Sequence, residues 1–101
     1  WIVGGDFNSS PTFDKKVNRG NQEIIDRMYS LGFKECLKEY KGKLTPTFKN
    51  PKGGKIIHQM DHLYTSNEIF KNIKHCNVID YQEIFQKSLS DHLPIVANFQ
   101  L

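Results

Sequence analysis

The sequence has few cysteines and no long apolar run, and each absence excludes a class of protein. None of its apolar runs reaches the roughly 20 residues of a membrane-spanning helix, so no such helix lies within these residues. The two cysteines, Cys36 and Cys76, lack the paired spacing of a zinc site. We expect buried free thiols rather than a disulfide, which fits a reducing cytosol and a cytoplasmic protein.

Internal repeats, low-complexity tracts and linkers are also absent, so the 101 residues form one domain or part of one. The apolar fraction of 38% predicts a modest core. The net charge of +3 permits a polyanionic partner without requiring one. The chain begins at Trp1, directly in a predicted strand, and we expect it to be a fragment of a longer protein.

The first third of the chain predicts a strand, a loop and one main helix. Residues 1–5 are typical of a buried strand, and residues 9–20 have the composition of a loop. Asn21 is a suitable N-cap, and Gly32 is suited to end the helix that we predict over residues 21–31. Four apolar residues share one face of this helix: Ile24, Ile25, Met28 and Leu31.

The rest of the sequence favours strands. The predicted elements are a short helix or turn over residues 33–40, a hairpin joining residues 45–49 to residues 56–65 through a turn at 50–54, a helical turn at 67–72, and strands at 73–81 and 93–101. The apolar run at 95–97 predicts that both faces of the last strand are covered. One helix cannot cover both faces, so we expect a second layer outside the chain.

Polar residues at the end of the first predicted strand are the first candidates for a functional site. Asp6 and Asn8 are two residues apart, and in an extended chain such residues point to the same side. A carboxylate and an amide together suit a hydrolytic site, where one accepts a proton or binds a metal and the other binds an anionic oxygen. By themselves these two residues favour an ordinary turn.

A second group of candidates precedes the last strand. Asp91 and His92 can bind a hard metal ion and transfer protons, or merely cap the strand. Asp61 lies within a predicted strand, where a buried carboxylate needs a partner, and His92 is the partner we prefer. His62 falls on the opposite face of that strand and is interpreted as structural. Two further histidines are interpreted as surface or packing residues: His58 and His75.

The candidate residues belong to three short motifs that follow one another along the chain. They are Gly-Asp-Phe-Asn at residues 5–8, Met-Asp-His-Leu-Tyr-Thr-Ser at 60–66, preceded by Thr-Phe at 47–48, and Ser-Asp-His-Leu-Pro-Ile-Val at 90–96. In this order the sequence resembles the endonuclease/exonuclease/phosphatase superfamily, which has the deoxyribonuclease-I-like fold. The resemblance covers residues 1–101 but only the C-terminal half of the family fold. It implies an α+β chain, half of a four-layer α/β/β/α sandwich, with mostly antiparallel sheet and one main helix.

The resemblance also implies a role for each candidate residue. Asp6 would align or activate the attacking water, and Asn8 would bind the phosphate or hold a neighbouring group. Asp91 would ligate a divalent metal, Mg²⁺ or Mn²⁺. His92 would contact the scissile phosphate or transfer a proton, and Asp61 would hydrogen-bond His92 and select its tautomer. The Thr-Phe segment would form part of the wall of the site. The identity of the general base stays open.

The function implied is metal-dependent hydrolysis of phosphodiester bonds, with a nuclease acting on DNA or RNA as the leading substrate class. Phosphatases or phosphodiesterases acting on inositol, sphingolipid or sugar phosphates are the alternative, and a non-catalytic binding module is the alternative of another class. The missing N-terminal half would supply an asparagine and a metal-binding glutamate. We therefore expect the chain alone to be inactive and to self-associate through its uncovered sheet face.

Overall fold

Two antiparallel sheets and four α-helices make up residues 1–13 and 21–101, which are the residues that the computed structural model describes. The elements in chain order are strand β1 (Ile2–Asp6), a 3₁₀ turn (Pro11–Phe13), helix α1 (Asn21–Ser30), strand β2 (Phe33–Glu35), helix α2 (Cys36–Lys41), strand β3 (Asp61–Ser66), helix α3 (Asn67–Phe70), strand β4 (Ile73–Val78), helix α4 (Tyr81–Ile84) and strand β5 (Ile95–Phe99). None of the helices in this part of the chain has the length and hydropathy needed to span a bilayer.

The first sheet has the strand order β1-β3-β2, and both of its ladders are antiparallel. β3 lies in the centre, because its residues pair with β1 on one side and with β2 on the other. In this register Asp6, the last residue of β1, pairs directly with Asp61, the first residue of β3. Directly paired residues carry their side chains on the same face of a sheet, so the register itself brings two carboxylates together.

The second sheet, formed by β4 and β5, encloses the core with α2 and β3. Cys36, Leu37 and Cys76 are fully buried, and seven partly buried apolar side chains pack against them: Leu63, Phe70, Ile73, Val78, Ile95, Ala97 and Phe99. Both cysteines are free, as predicted. Burial raises the pKa of the Cys76 thiol to about 12, and it also raises the pKa of Cys36. Neither thiol is therefore a reactive thiolate near neutral pH.

The first two helices can be compared directly with their sequence predictions. α1 matches its predicted start and ends at Ser30, one residue earlier than predicted, before Gly32 takes a left-handed φ of 89°. Of the four apolar residues predicted on one face, Ile25 is buried, whereas Leu31 is 72% exposed. The predicted ambiguity at residues 33–40 resolves into β2 followed by α2. Glu35 caps α2, because its Oε2 accepts a 2.7 Å hydrogen bond from the backbone N–H of Lys38.

The hairpin predicted over residues 45–65 is only partly correct. Its turn is present, since the N–H of Asn50 donates to the carbonyl of Lys55 at 2.9 Å. Its arms meet only at an isolated bridge between Phe48 and His58. A full ladder does not form because the first arm is shared between two partners: the N–H of Lys49 donates instead to the carbonyl of Asp91 at 2.8 Å. Regular pairing of the second arm begins at β3.

Two predicted strands are longer than the observed ones. β4 ends at Val78 rather than at residue 81, because the Asp80 carboxylate accepts from the N–H of Gln82 at 2.9 Å and starts α4. β5 is confined to Ile95–Phe99, and its burial alternates between half-buried and exposed residues. One face packs on the core, and no described residue covers the other, which is the face for which the sequence analysis expects a layer from outside the chain. Of the predicted loop at residues 9–20, residues 14–20 lie outside the described part.

Candidate active site

Asp6, Asp61 and His92 converge at one edge of the first sheet. His92 comes from the turn that precedes β5, and its Nδ1 lies 2.7 Å from Oδ2 of Asp61. Its Nε2 lies 3.7 Å from Oδ2 of Asp6. One ligand atom from each of the three residues falls within 4.8 Å of the others, which is close enough to hold a metal ion. Residues separated by 86 positions in the sequence therefore form a single cluster.

The turn that carries His92 is fixed by backbone hydrogen bonds on both of its sides. On one side the N–H of Lys49 donates to the carbonyl of Asp91 at 2.8 Å, and on the other the N–H of Leu93 donates to the carbonyl of Thr47 at 2.7 Å. The imidazole between them is half-buried. Two hydrogen bonds that flank one residue leave its backbone little freedom, so the ring is presented to the site in a defined direction.

Asp61 is held by a second partner that the sequence analysis did not identify. The hydroxyl of Thr47 donates to Oδ2 of Asp61 at 2.7 Å. The same hydroxyl oxygen accepts from the backbone N–H groups of Met60 at 3.0 Å and of Asp61 at 3.2 Å. Sequence reasoning placed the Thr-Phe segment in the wall of the site, but threonine is common in strands and only the fold shows its contact with the carboxylate.

The electrostatics of the cluster favour the protonated imidazole. Because a carboxylate can only accept a hydrogen bond, Nδ1 of His92 donates to Asp61, and Nε2 is the nitrogen directed to the other groups. Oδ1 of the exposed Asp91 lies 3.8 Å from this Nε2. Burial lowers the pKa of His92, but the hydrogen bond to Asp61 and the negative charges of the three surrounding carboxylates raise it above its ordinary value of 6.5.

Asn8 lies beside the cluster in a conformation that differs from the expected one. The extended geometry that would put Asn8 and Asp6 on the same side ends at Asp6, and Asn8 has a left-handed φ of 50°. Its backbone N–H donates to Oδ1 of Asp6 at 2.8 Å, which is the pattern of an Asx turn. Oδ1 of Asp6 is therefore fixed by the backbone, while Oδ2 is the oxygen directed towards His92.

The other histidines lie away from the cluster. His62 is on the opposite face of β3, as predicted, and is buried with its Nε2 2.7 Å from the carbonyl oxygen of Ser9. Burial lowers the pKa of His62, but the neighbouring carboxylate of Glu35 and the Ser9 carbonyl raise it overall. His58 is half-buried and His75 is exposed. These positions agree with the structural and surface interpretations of the three residues.

The cluster borders an open cleft of about 390 Å³. Asp6, Asp61 and His92 form one part of its wall, and the remainder is mostly backbone and apolar side chains, including Leu89 and Pro94. A cleft with a few polar groups on an otherwise apolar wall is the usual form of a ligand site. The side chains of Asp6, Asp61 and His92 line this cleft, so a small group bound in it could contact them.

The donor set fits a hard divalent cation. Carboxylate oxygens are the ligands that Mg²⁺ and Mn²⁺ prefer, and Asp6 and Asp61 each place one close to His92. Asp91, the residue expected to ligate the metal, is outside that closest group and beside it. Its carboxylate is exposed, and its Oδ1 lies 3.8 Å from Nε2 of His92.

Comparison with known proteins identifies the fold. No family profile and no curated protein matches the sequence. Solved structures that match with high probability include a 3′ phosphatase from Neisseria bound to a product DNA hairpin (TM-score 0.80, 20% identity), a 3′-5′ exonuclease from Neisseria meningitidis (0.75, 20%) and an AP endonuclease from Archaeoglobus fulgidus (0.81, 19%).

Each match covers 99% of this chain but only 45% of the solved structure, so the chain spans less than half the length of the proteins it resembles. At these TM-scores the agreement extends over the whole of the chain, including both sheets. The α+β class and the mostly antiparallel pairing predicted from the sequence are confirmed. The chain has part of the deoxyribonuclease-I-like fold, the fold of these exonuclease, AP endonuclease and phosphatase structures.

Proposed function

We propose that this chain is the C-terminal half of a metal-dependent phosphodiesterase domain, and that the complete protein is a nuclease acting on DNA or RNA. The observation that carries the proposal is the arrangement of His92. Its Nδ1 is bonded to Asp61 at 2.7 Å, and its Nε2 is directed towards the carboxylates of Asp6 and Asp91. An imidazole oriented by one carboxylate, with two more in front of it, suits catalysis on a phosphate.

The residues of the chain would divide the chemistry between them. Asp61 keeps the proton of His92 on Nδ1 and stabilises the imidazolium, whose Nε2–H would then donate to a non-bridging oxygen of the phosphate. Oδ2 of Asp6, left free because the Asn8 backbone occupies Oδ1, would accept a hydrogen bond from the attacking water and align it. The side-chain amide of Asn8 would bind the phosphate or a neighbouring group.

A divalent metal, Mg²⁺ or Mn²⁺, would be held by Asp91, assisted by the oxygens of the neighbouring carboxylate cluster. When bound, it supplies charge neutralisation on the phosphate and lowers the pKa of bound water. The fit rests on the oxygen-rich donor set, since hard cations prefer carboxylates. A further glutamate from the other half of the fold would complete the ligands.

A basic segment beside the site favours a nucleic acid over a small phosphate ester. Residues 49–55 carry three lysines, at positions 49, 52 and 55, and no acidic residue. The segment is joined to the turn of the site by the hydrogen bond from Lys49 to the carbonyl of Asp91. Cationic side chains next to a phosphate-cleaving site can contact neighbouring phosphates of a polymer. The DNA-bound Neisseria 3′ phosphatase, a structural neighbour, is consistent with this choice.

Exposed apolar residues support the proposal that another half of the same fold covers this chain. Trp1 is 84% exposed and Leu31 is 72% exposed, and Ile2 on the outer strand β1 is 58% exposed. Large apolar side chains at this exposure are costly in water when they lie close together. The missing half would shield them and add its own catalytic residues. We also propose a cytoplasmic location, for which the two free buried thiols are the support.

The test is a substrate panel on the full-length protein with Mg²⁺, with Mn²⁺ and with a chelator. The panel contains single-stranded DNA, a duplex with an abasic site, DNA with a 3′ phosphate, RNA, and inositol phosphates. We expect cleavage of at least one nucleic acid, with loss of the activity in chelator and its return on adding the metal. Full turnover in chelator would refute the metal dependence. Turnover of inositol phosphates alone would refute the assignment of a nucleic-acid substrate.

The basic segment supplies a separate control for the substrate class. Replacing Lys52 and Lys55 with glutamine should weaken binding to DNA. The dependence of the binding constant on salt concentration should also become less steep, because about two fewer counterions are released on binding. Hydrolysis of a small phosphodiester such as a nitrophenyl ester should be unchanged, because neither lysine contacts the cluster in the described residues. An equal loss on both substrates would show that the lysines act on the fold rather than on the polymer.

A further inference from the structure

A buried polar cluster lies behind the candidate active site and has no role in the chemistry proposed above. Its side chains are those of Glu35, Gln59 and His62, which are 0%, 1% and 3% exposed. Burying a carboxylate, an amide and an imidazole costs free energy that an apolar trio would not. These side chains need a structural reason, and their hydrogen bonds indicate one.

Gln59 connects the cluster to the backbone of the active-site strand. Its Nε2 donates to Oε1 of Glu35 at 3.0 Å and to the carbonyl of Asp61 at 3.1 Å, and its Oε1 accepts from the N–H of Thr45 at 3.0 Å. An amide nitrogen has two hydrogens, which these two shorter bonds use, and Nδ1 of His62 lies 3.3 Å from the same nitrogen. Gln59 therefore ties the backbone at Asp61 to the buried carboxylate.

His62 connects the same cluster to the segment that follows β1. Its Nε2 lies 2.7 Å from the carbonyl oxygen of Ser9, and since a carbonyl only accepts, this nitrogen carries the hydrogen. Its Nδ1 lies 3.7 Å from Oε1 of Glu35. Ser9 directly follows Asn8, so the bond holds the segment that contains Asp6 and Asn8. Phe7, in the same segment, packs its ring 5.5 Å from the ring of His62.

Glu35 gives both connections a rigid base. Its Oε1 accepts the hydrogen bond from Nε2 of Gln59, while its Oε2 caps α2 by accepting from the N–H of Lys38 at 2.7 Å. Its own backbone N–H donates to the hydroxyl of Tyr29 in α1 at 3.3 Å. A carboxylate anchored at a helix start and in a paired strand cannot move without disturbing both elements.

We propose that Glu35, Gln59 and His62 form a positioning network that holds residues 6–9 and the backbone of Asp61 in mutual register from behind the active site. None of the three would touch substrate, so they are positioning residues. The inference rests on the proposed function, because it concerns the carboxylates to which that function assigns the chemistry. The network acts through two hydrogen bonds, from His62 to Ser9 and from Gln59 to Asp61.

The test compares His62→Phe with His62→Gln in the full-length protein. Phenylalanine keeps a ring against Phe7 but cannot donate to the Ser9 carbonyl, whereas the glutamine amide reaches the position of the imidazole Nε2 and can. We expect kcat to fall about tenfold in His62→Phe with KM within twofold, and to recover in His62→Gln. His75→Phe, an exposed histidine of β4 outside the network, is the matched control and should behave as wild type.

Amide hydrogen exchange provides a readout that does not depend on activity. The reporters are the N–H groups of Phe7 and Asn8, which donate to the Met60 carbonyl at 3.0 Å and to Asp6 Oδ1 at 2.8 Å. In His62→Phe these two amides should exchange about tenfold faster, because the segment loses its bond to the buried cluster and opens locally more often. The amides of β4 and β5 should exchange at the wild-type rate. Wild-type exchange and wild-type kcat, or equal acceleration in every strand, would overturn the network.

The tautomer of His62 in the wild-type protein decides the matter if His62→Phe does not fold. Ring ¹⁵N spectra should show a hydrogen on Nε2 that exchanges slowly with solvent. A ring protonated on Nδ1 alone would overturn the inference, because no bond to Ser9 could then form. If the wild-type protein cleaves no phosphodiester, the proposed function fails. The exchange and tautomer measurements then still decide whether the network holds residues 6–9.

Discussion

Replacing Thr47 with valine tests how the candidate site is held together. The hydroxyl is fully buried, donates to Asp61 at 2.7 Å and accepts from two backbone N–H groups, those of Met60 and Asp61. Valine has nearly the same shape, so the change removes these hydrogen bonds without opening a cavity. The side chain of Asp61 is 16% exposed, and water can replace only part of what is lost.

The expected loss of stability follows from those three bonds. A hydrogen bond to a charged group contributes about 1.5–3 kcal/mol, and each backbone N–H left buried and unpaired costs about 1–3 kcal/mol. Those values are upper limits here, because Met60 and Asp61 are only half-buried and water can take over part of each lost bond. We therefore expect the free energy of unfolding of Thr47→Val to fall by about 2–4 kcal/mol in urea titrations followed by circular dichroism. We also expect kcat to fall by about tenfold or more, since Asp61 then orients His92 with one support fewer.

Thr45→Val is the matched control, two residues away in the same segment. The hydroxyl of Thr45 is buried but has no hydrogen-bond partner among the described residues. Replacing an unpaired buried hydroxyl with a methyl group should leave stability unchanged or raise it by about 1 kcal/mol. If both variants lose the same stability and the same activity, the effect of Thr47 is not carried by its bonds to Asp61, and our reasoning is wrong.

Three further predictions concern the site and the fragment. His92→Ala and Asp6→Ala should each lower kcat by about a hundredfold or more with an unchanged circular dichroism spectrum; wild-type turnover in either would remove that residue from the site. Folding raises the pKa of His92 above 6.5, so its contribution to stability is complete below pH 6.5 and is lost as the pH rises through the folded-state pKa. Urea titrations should accordingly show stability falling with rising pH above 6.5, with a smaller slope in His92→Gln; an identical slope would contradict the stated cause. The 101-residue chain alone should show no turnover and should self-associate through its exposed apolar residues; a monomer at high concentration in sedimentation runs would count against a missing half.

Local patterns in the sequence are sufficient where one segment determines its own structure. α1 begins at Asn21 as predicted, because its apolar spacing lies within ten residues. The strand Ile2–Asp6 forms where the apolar run predicts it, but the predicted burial is wrong: all five residues are exposed, because β1 is an edge strand with a partner on one side only. The free buried thiols follow from the surroundings of Cys36 and Cys76. The contact between Asp61 and His92 was expected because a carboxylate in a strand needs a partner, and the structure has it at 2.7 Å.

Contacts between distant segments are decided by the tertiary structure. The support that Thr47 gives Asp61, and the link from His62 to Ser9 across 53 positions, depend on how the strands are placed in space. The same-side placement of Asp6 and Asn8 was mispredicted, because a left-handed φ of 50° at Asn8 breaks the alternation of an extended chain and forms the alternative turn.

By itself, the sequence determined the order of the elements, the chemical types of the site residues and the resemblance to a fold. The tertiary structure alone decided their register, because strand pairing brings Asp6 opposite Asp61 and docks the His92 turn against Thr47. Spacing along the sequence does not give distances in space, so only the packed sheets could show that the carboxylates and the imidazole form one cluster and that a buried, hydrogen-bonded group of side chains lies behind it.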